Sequence, residues 1–233
     1  MARALVQAGA RVAVTSRSGP RAQAVAAELG PRALGLELDV RDEASVAACV
    51  AGACDRLGGL DLLVNNAGIG MRTVNPRFLT DPQPFWKVAP GGFRDVIETK
   101  VTGSFLVARE VVPRMLEAGG GRVVNVSMNE QTMIRGGFVP YGPAGAAVEA
   151  LSRVMAADLE GTAVNVNLLA PGGATATGMI PDDLSAEARA RLLDPVIMGP
   201  PIVWLASETS AGVHDQRIVA SEFDAWLARH RPG

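Results

Sequence analysis

Apolar and polar positions along the chain switch period repeatedly, and the switches mark alternating helices and strands. Residues 2–9 (ARALVQAG) read as the end of a helix stopped by Gly9, and 11–15 (RVAVT) as a short strand. A helix over 20–29 ends at Gly30. LGLELDV (34–40) reads as a strand, 42–57 as an Ala-rich helix, and DLLVNN (61–66) as an apolar strand. A Pro- and Phe-rich loop covers 70–92. From about 94 to 117 the period predicts one long helix that buries Ile97, Val101, Phe105, Ala108 and Val112. The run Val123, Val124, Val126 ends at Ser127, a polar Gly-rich loop follows, and a helix starts near Tyr141. Val148, Leu151 and Met155 mark the buried face of that helix at i, i+3 and i+7. A strand at 163–171, helices over 181–194 and 200–208, and a strand at 216–220 complete the pattern. Strands alternating with helices predict an α/β fold, a doubly wound parallel sheet covered on both faces, in one domain spanning 1–233.

Composition narrows the partners. The chain has 233 residues, 48% of them hydrophobic, and a formal net charge of −2, so no basic surface calls for nucleic acid. Cys49 and Cys54 lie five apart on a predicted helix and point in different directions, which suits reduced thiols better than a disulfide or a metal pair. No metal site is expected. Neither an 18-residue apolar run nor a signal-peptide pattern occurs, so the expected setting is the cytoplasm, away from membranes.

In open α/β sheets ligands sit at the carboxyl ends of the strands, and the residues with chemistry to offer fall there. Asn65-Asn66-Ala67-Gly68 closes the apolar strand at 61–66, and Asp39-Val40 closes the one before it. Pro171-Gly172, with Thr177 beyond, follows the strand at 163–171. Arg17 follows the strand at 11–15. Ser127 ends the strand that leads to Tyr141, the only tyrosine.

The NNAG run, and a strand and polar loop leading into a Tyr-headed helix, resemble the short-chain dehydrogenase/reductase family over nearly the whole chain. The resemblance implies a Rossmann-like fold and an NAD(P)(H)-dependent oxidoreductase acting on a small carbonyl or alcohol. It places Asn65, Ala67 and Gly68 beside the nucleotide, Asp39 and Val40 at the adenine, and Pro171, Gly172 and Thr177 over the nicotinamide, with one extra residue before the Thr. Arg17 stands where NADP-preferring members carry a base for the 2′-phosphate. Ser16 holds the position where NAD-preferring members usually have Asp, so the resemblance leans to NADP(H). Each has a plainer reading: NNAG ties the sheet together, Asp39 caps a helix, and Arg17 is a solvated surface charge.

Departures from the family pattern are as informative. The family's first strand and its TGxxxGxG loop, which would give backbone N–H groups and a helix N-terminus to the pyrophosphate, do not occur. Met1 falls in the helix that should follow them. Binding of NADP(H) or NAD(H) is therefore expected to be weak. The missing strand belongs between the strands at 11–15 and 61–66. Three outcomes follow: those strands pair directly, the first 40 or so residues pack poorly, or the reading frame begins at an internal Met. The last is favoured.

The catalytic set is eroded as well. The family's serine position reads Met128, with Ser127 beside it expected to face the other side of the strand. The YxxxK lysine reads Gly145, and the helical asparagine reads Lys100. Lowering a tyrosine pKa from about 10 toward 7 takes roughly 4 kcal/mol, and the lysine that supplies much of it is gone. A lost carbonyl-polarising donor costs a few kcal/mol more. Ordinary hydride transfer is expected to be weak or lost. The alternatives are a non-redox enzyme using Tyr141 as acid or base, and a catalytically silent binding or dimerisation subunit.

Lys100 reads as an accidental surface charge, the competing idea being an ammonium relocated toward Tyr141. Phe85, Trp86 and 181–194 read as a lid over an apolar substrate. Apolar residues beyond the core stripes of the helices at 94–117 and 141–159 (Val107, Val111, Val154) suggest a homodimer or homotetramer.

Overall fold

Among the described residues six strands form two sheets and not one, each sheet parallel throughout. The computed structural model describes residues 1–230. Helix α1 (Ala2–Gln7) leads to β1 (Val12–Ser16), α2 (Gly19–Leu29) to β2 (Ala33–Glu37), and α3 (Glu43–Leu57) to β3 (Leu62–Asn65). Two 3-10 turns cross the loop that follows. Then α4 (Pro90–Ile97), a π-helical turn (Glu98–Thr102) and α5 (Gly103–Glu117) run end to end before β4 (Gly121–Val126). The short α6 (Glu130–Met133) and long α7 (Tyr141–Asp158) precede β5 (Val164–Ala170). Helices α8 (Ala186–Ala190) and α9 (Gly199–Leu205), strand β6 (Arg217–Val219) and α10 (Phe223–His230) finish the order. Strand β1 pairs with β2, and β3, β4, β5 and β6 pair in that sequence. Strands β1 and β3 do not pair, so direct closure of the sheet is ruled out.

Helices on both faces hold the halves together. On one face α3 and α5 pack on Val123 and Val166, with Leu36 of β2 and Leu63 of β3 against the same cluster. On the other, Leu5 of α1 joins Val124, Leu169 and Ile218 under α9 and α10, with Val12 of β1 and Leu62 and Val64 of β3 alongside. Side chains, not a backbone ladder, span the break. The first 40 residues nonetheless pack closely. Helix α2 lies so near β2 that a Cβ on Gly35 would overlap the backbone of Ala22 and Gln23. Caps support these helices: Ser18 and Asp42 accept hydrogen bonds from Arg21 N–H and Ser45 N–H at the starts of α2 and α3. Asp42, not Asp39, is thus the cap of α3.

Sequence periodicity misphased the long helix. Phe105 is 45% exposed, whereas Val107 and Val111, expected outside, are buried. The buried row is Val96, Lys100, Ser104, Val107, Val111 and Met115, one residue earlier than the expected row both before and after the π turn. Two apolar stripes one residue apart share the same helical period, and packing chose between them; Ala108 is buried as expected. The segment 181–194 contains only the five-residue α8, and α10 was not foreseen; its Phe223 and Trp226 pack on Trp204. Among the described residues no helix is long and apolar enough to cross a membrane.

Candidate functional site around Tyr141

Tyr141 opens α7 and lays its ring on a small cluster of Met71, Phe78 and Phe138, remote from the two larger cores. Phe78 and Phe138 meet edge to face at 5.4 Å, which fixes the wall behind the ring. Among the described residues the phenol's one hydrogen-bond partner is the Met179 sulfur at 3.9 Å, a weak acceptor. Burial pushes the phenol pKa up from its ordinary value. A phenol so placed holds its proton.

Lys100 lies in the same space. The π turn swings it inward, where it is only 7% exposed, so it is no surface charge. Its ammonium donates to Val126 O at 3.3 Å and sits 5.7 Å from the centroid of the Tyr141 ring. Among the described residues no carboxylate forms an ion pair with it, and burial pushes its pKa down to about 8.

Ser127 faces elsewhere. Its hydroxyl donates to Glu149 of α7, two helical turns beyond Tyr141, and Glu149 accepts from Arg217 Nε at 3.0 Å. Arg217 also donates to Met128 O at 2.8 Å and lies 3.6 Å from Glu130. Alternation along β4 thus sends Ser127 toward β6, as adjacency to Met128 required. Met128 itself is 5% exposed and fills the room over Gly145: a Cβ there would stand 2.5 Å from Met128 Cε. Met128 thus leaves no free room for a longer side chain at 145.

Glu149, Arg217 and Met179 were missed in the sequence. A lone Glu in an otherwise apolar helix, eight residues after Tyr141, was the available signal for the first. Met179 packs on Gly70, whose Cβ would come within 2.9 Å of Met179 Cγ. Its loop is tied down by Arg72, which donates to Gly178 O and Ile180 O and pairs with Asp182 at 2.6 Å. Thr80 reinforces the tie by donating to Asp183. Met179 therefore covers Tyr141, while Phe85 and Trp86, 67% and 71% exposed, meet each other edge to face.

The residues expected to hold a cofactor divide in two. Near the end of β1, Arg17 is exposed and close enough to draw down Asp39, whose carboxylate takes two hydrogen bonds from Arg41, at 3.0 and 2.7 Å, and titrates at about 2. Two guanidiniums there suit a phosphorylated ribose. Val40 is buried in the core against Gly103, so its side chain faces inward and not toward an adenine. Asn65 is likewise spent inside: it donates to Asn125 at 2.8 Å, and Asn125 donates to Ser152 at 2.7 Å, bracing β3, β4 and α7. Asn66 and Ala67 remain exposed and Gly68 half-exposed. Gly172 adopts φ +97°, where a side chain would also overlap Ser221 Oγ, and its carbonyl accepts from Asn129 at 3.3 Å. Pro171 and Gly172 keep the turn open beside β5, and Thr177 Oγ1 accepts from Met179 N–H. Of the residues expected to hold a cofactor, Arg17 and Ala67 thus stay exposed, Val40 and Asn65 are buried, and the described residues furnish no Gly-rich strand-to-helix turn. No group of His, Cys, Asp and Glu among them could hold a metal ion.

Comparisons with known proteins agree with this geometry. Residues 1–188 match the sequence model described as short chain dehydrogenase. A protein of Xanthobacter autotrophicus named "Inactive 2-(S)-hydroxypropyl-CoM dehydrogenase 2" is 37% identical over 198 residues, 83% of this chain and 81% of that one. Among solved structures, a gluconate 5-dehydrogenase from Burkholderia cenocepacia in complex with NADP and tartrate superposes with a TM-score of 0.82 at 26% identity, covering 96% of this chain and 89% of the other. A 3-ketoacyl-(acyl-carrier-protein) reductase from Brucella melitensis, complexed with NADH, gives 0.81 at 26% identity over 94% and 89%.

Proposed function

Because the chain belongs to the short-chain dehydrogenase family, we propose that it descends from NAD(P)(H)-dependent oxidoreductases of small carbonyls or alcohols and that its own hydride transfer is weak or lost. One observation carries the reading. Neither a serine hydroxyl nor a side chain from position 145 reaches Tyr141: Ser127 is engaged by Glu149, and Met128 occupies the space over Gly145. A bound nicotinamide would supply or accept the hydride; the chain's part is to hold a carbonyl beside Tyr141 and move one proton. With only Met179 beside its hydroxyl, Tyr141 has no relay. The relative named inactive is consistent with this and proves nothing about this chain.

Calorimetric titration with NADPH at low salt is expected to give binding no tighter than about 1 mM, with NADPH favoured over NADH through Arg17 and Arg41. Turnover with small ketones is expected to stay at background. Micromolar binding together with turnover of about 1–10 s⁻¹ would sink the proposal. Lys100 favours a second reading, a non-redox enzyme in which Tyr141 and a nearby ammonium act as an acid–base pair on a small molecule.

Self-association accompanies either reading. The outward stripes of α5 and α7 carry Phe105, Leu116 and Val154, at 45%, 44% and 57% exposure, a pattern suited to a homodimer or homotetramer. Light scattering at tens of micromolar should report a dimer or tetramer that Phe105→Glu dissociates; a monomer before the substitution refutes it.

A further inference from the structure

Lys100 is the one charged side chain in the buried core among the described residues. The chain has 22 Lys and Arg residues, and only Lys87 and Lys100 are lysines. Arginine does not give up its proton in a protein, whereas a buried lysine sheds its own and becomes a nucleophile. The rarer cation thus holds the one buried place, and Lys87 is exposed.

Its surroundings favour the neutral amine. One of its three N–H donors reaches Val126 O at 3.3 Å, and among the described residues the other two have no partner. The π turn packs on α4, α5 and α7. Charged groups on those helices are engaged elsewhere: Asp95 with Arg41, Arg109 with Glu43, Arg153 with Asp215, and Glu149 with Ser127 and Arg217. Burial is therefore what lowers the Lys100 pKa to about 8. At pH 7 about a tenth of the side chain is free amine, against less than about 0.1% for a lysine in water.

Position points to a carbonyl substrate. Val126 ends β4, and the carboxyl ends of parallel strands are where such folds receive ligands. The nitrogen lies 5.7 Å from the centroid of the half-buried Tyr141 ring. Met179, the phenol's partner, is flexible and a weak acceptor, so a carbonyl oxygen displaces it with a gain in hydrogen bonding. The wall beside the ring is Met71, Phe78 and Phe138, which suits an alkyl chain and not a second charge.

We propose that Lys100 condenses reversibly with small, uncharged aliphatic aldehydes to form an imine, with Tyr141 carrying the protons. The neutral nitrogen attacks the carbonyl carbon, a C–N bond forms and the C–O π pair passes to oxygen. Tyr141 protonates that oxygen and takes a proton from the nitrogen, giving the carbinolamine. A second proton follows the same route, the C–O bond breaks, and water leaves as the nitrogen pair closes the C=N bond. Amine and aldehyde become imine and water, nothing is oxidised or reduced, and the phenol ends protonated as it began. The pairing of Lys100 with Tyr141 rests on the non-redox reading; the nucleophilic nitrogen does not.

The probe is propanal with sodium cyanoborohydride, which reduces an imine to a stable N-propyl group. Peptide mass mapping of the labelled full chain reads the two lysines separately. At pH 7 Lys100 is expected to be labelled at least about tenfold faster than Lys87. The ratio should shrink toward pH 10, where any solvated lysine is partly neutral, and approach one in concentrated urea. Glyoxylate, an anion, should show no preference for Lys100. Tyr141→Phe should slow labelling of Lys100 by at least about tenfold and leave Lys87 unchanged. Labelling of Lys100 no faster than of Lys87 would overturn the proposal. A preference that survives Tyr141→Phe would overturn the proton-carrying role and the non-redox reading with it. An equal preference with glyoxylate would overturn the uncharged substrate class.

Discussion

Lys100→Met is expected to be more stable than the parent protein at pH 7 by roughly 2 kcal/mol, and the advantage should vanish by about pH 10. The ammonium is buried with one carbonyl partner, Val126 O, and its pKa falls to about 8 from 10.5. At about 1.4 kcal/mol per unit that interval amounts to roughly 3 kcal/mol against the charged, folded form; losing the hydrogen bond returns about 1 kcal/mol. The sign follows from proton counting. Below pH 8 both states hold the proton and the penalty is complete. Between about 8 and 10.5 the unfolded chain binds more protons than the folded one, so this term raises stability as pH climbs. Tyr141 and Cys49, both shifted upward by burial, act in the opposite direction at alkaline pH in parent and variant alike. The difference between the two proteins is therefore the quantity to measure, by urea unfolding at pH 7 and pH 10. A variant no more stable at pH 7 would mean that the ammonium has partners or water beyond Val126 O. The same pair of proteins reports on Tyr141 through tyrosinate absorbance, since it is the only tyrosine. In both, burial is expected to hold the apparent pKa above the ordinary tyrosine value. A parent value below the ordinary one that climbs in Lys100→Met would put the non-redox enzyme ahead.

Gly145→Lys should destabilise alone and be relieved by Met128→Ser. The new Cβ would meet Met128 Cε at 2.5 Å and Sδ at 2.7 Å, and Met128 is buried. Overpacking of this kind costs about 1–3 kcal/mol, against less than about 1 kcal/mol gained by removing a helical glycine. Met128→Ser alone leaves a cavity and loses about 2–4 kcal/mol. In the double variant the lysine stem fills what the methionine vacates. The pair should therefore be more stable than the sum of the singles predicts, by about 1–2 kcal/mol. Additivity would show that Met128 moves aside freely and does not block the position. Hydride transfer should remain at background in both singles, because positioning and proton transfer act as a unit. Its return should need both changes with Lys100→Asn, which removes a competing ammonium, and a phosphate-binding turn.

Much of the fold was legible before any coordinates. Runs such as Val123-Val124 and Leu168-Leu169, with helical periods between the strands, were enough for a doubly wound parallel sheet, because backbone period and burial are local consequences of local sequence. The turning of Ser127 away from the side of Met128 was legible too, since adjacent residues of an extended chain face opposite ways. Three features were decided only in the folded chain. Packing chose which stripe of the long helix faces inward, burying Val107, Val111 and Lys100 and exposing Phe105, because two apolar stripes one residue apart share the same period. The partners of Ser127 and Tyr141 come from Glu149, Arg217 and Met179, which lie up to 90 positions away along the chain and meet only when helix, last strand and loop are packed. That β1 and β3 do not pair was likewise settled only in the folded chain, where Leu5, Val12, Leu62 and Val64 join the two sheets through one apolar cluster drawn from distant segments.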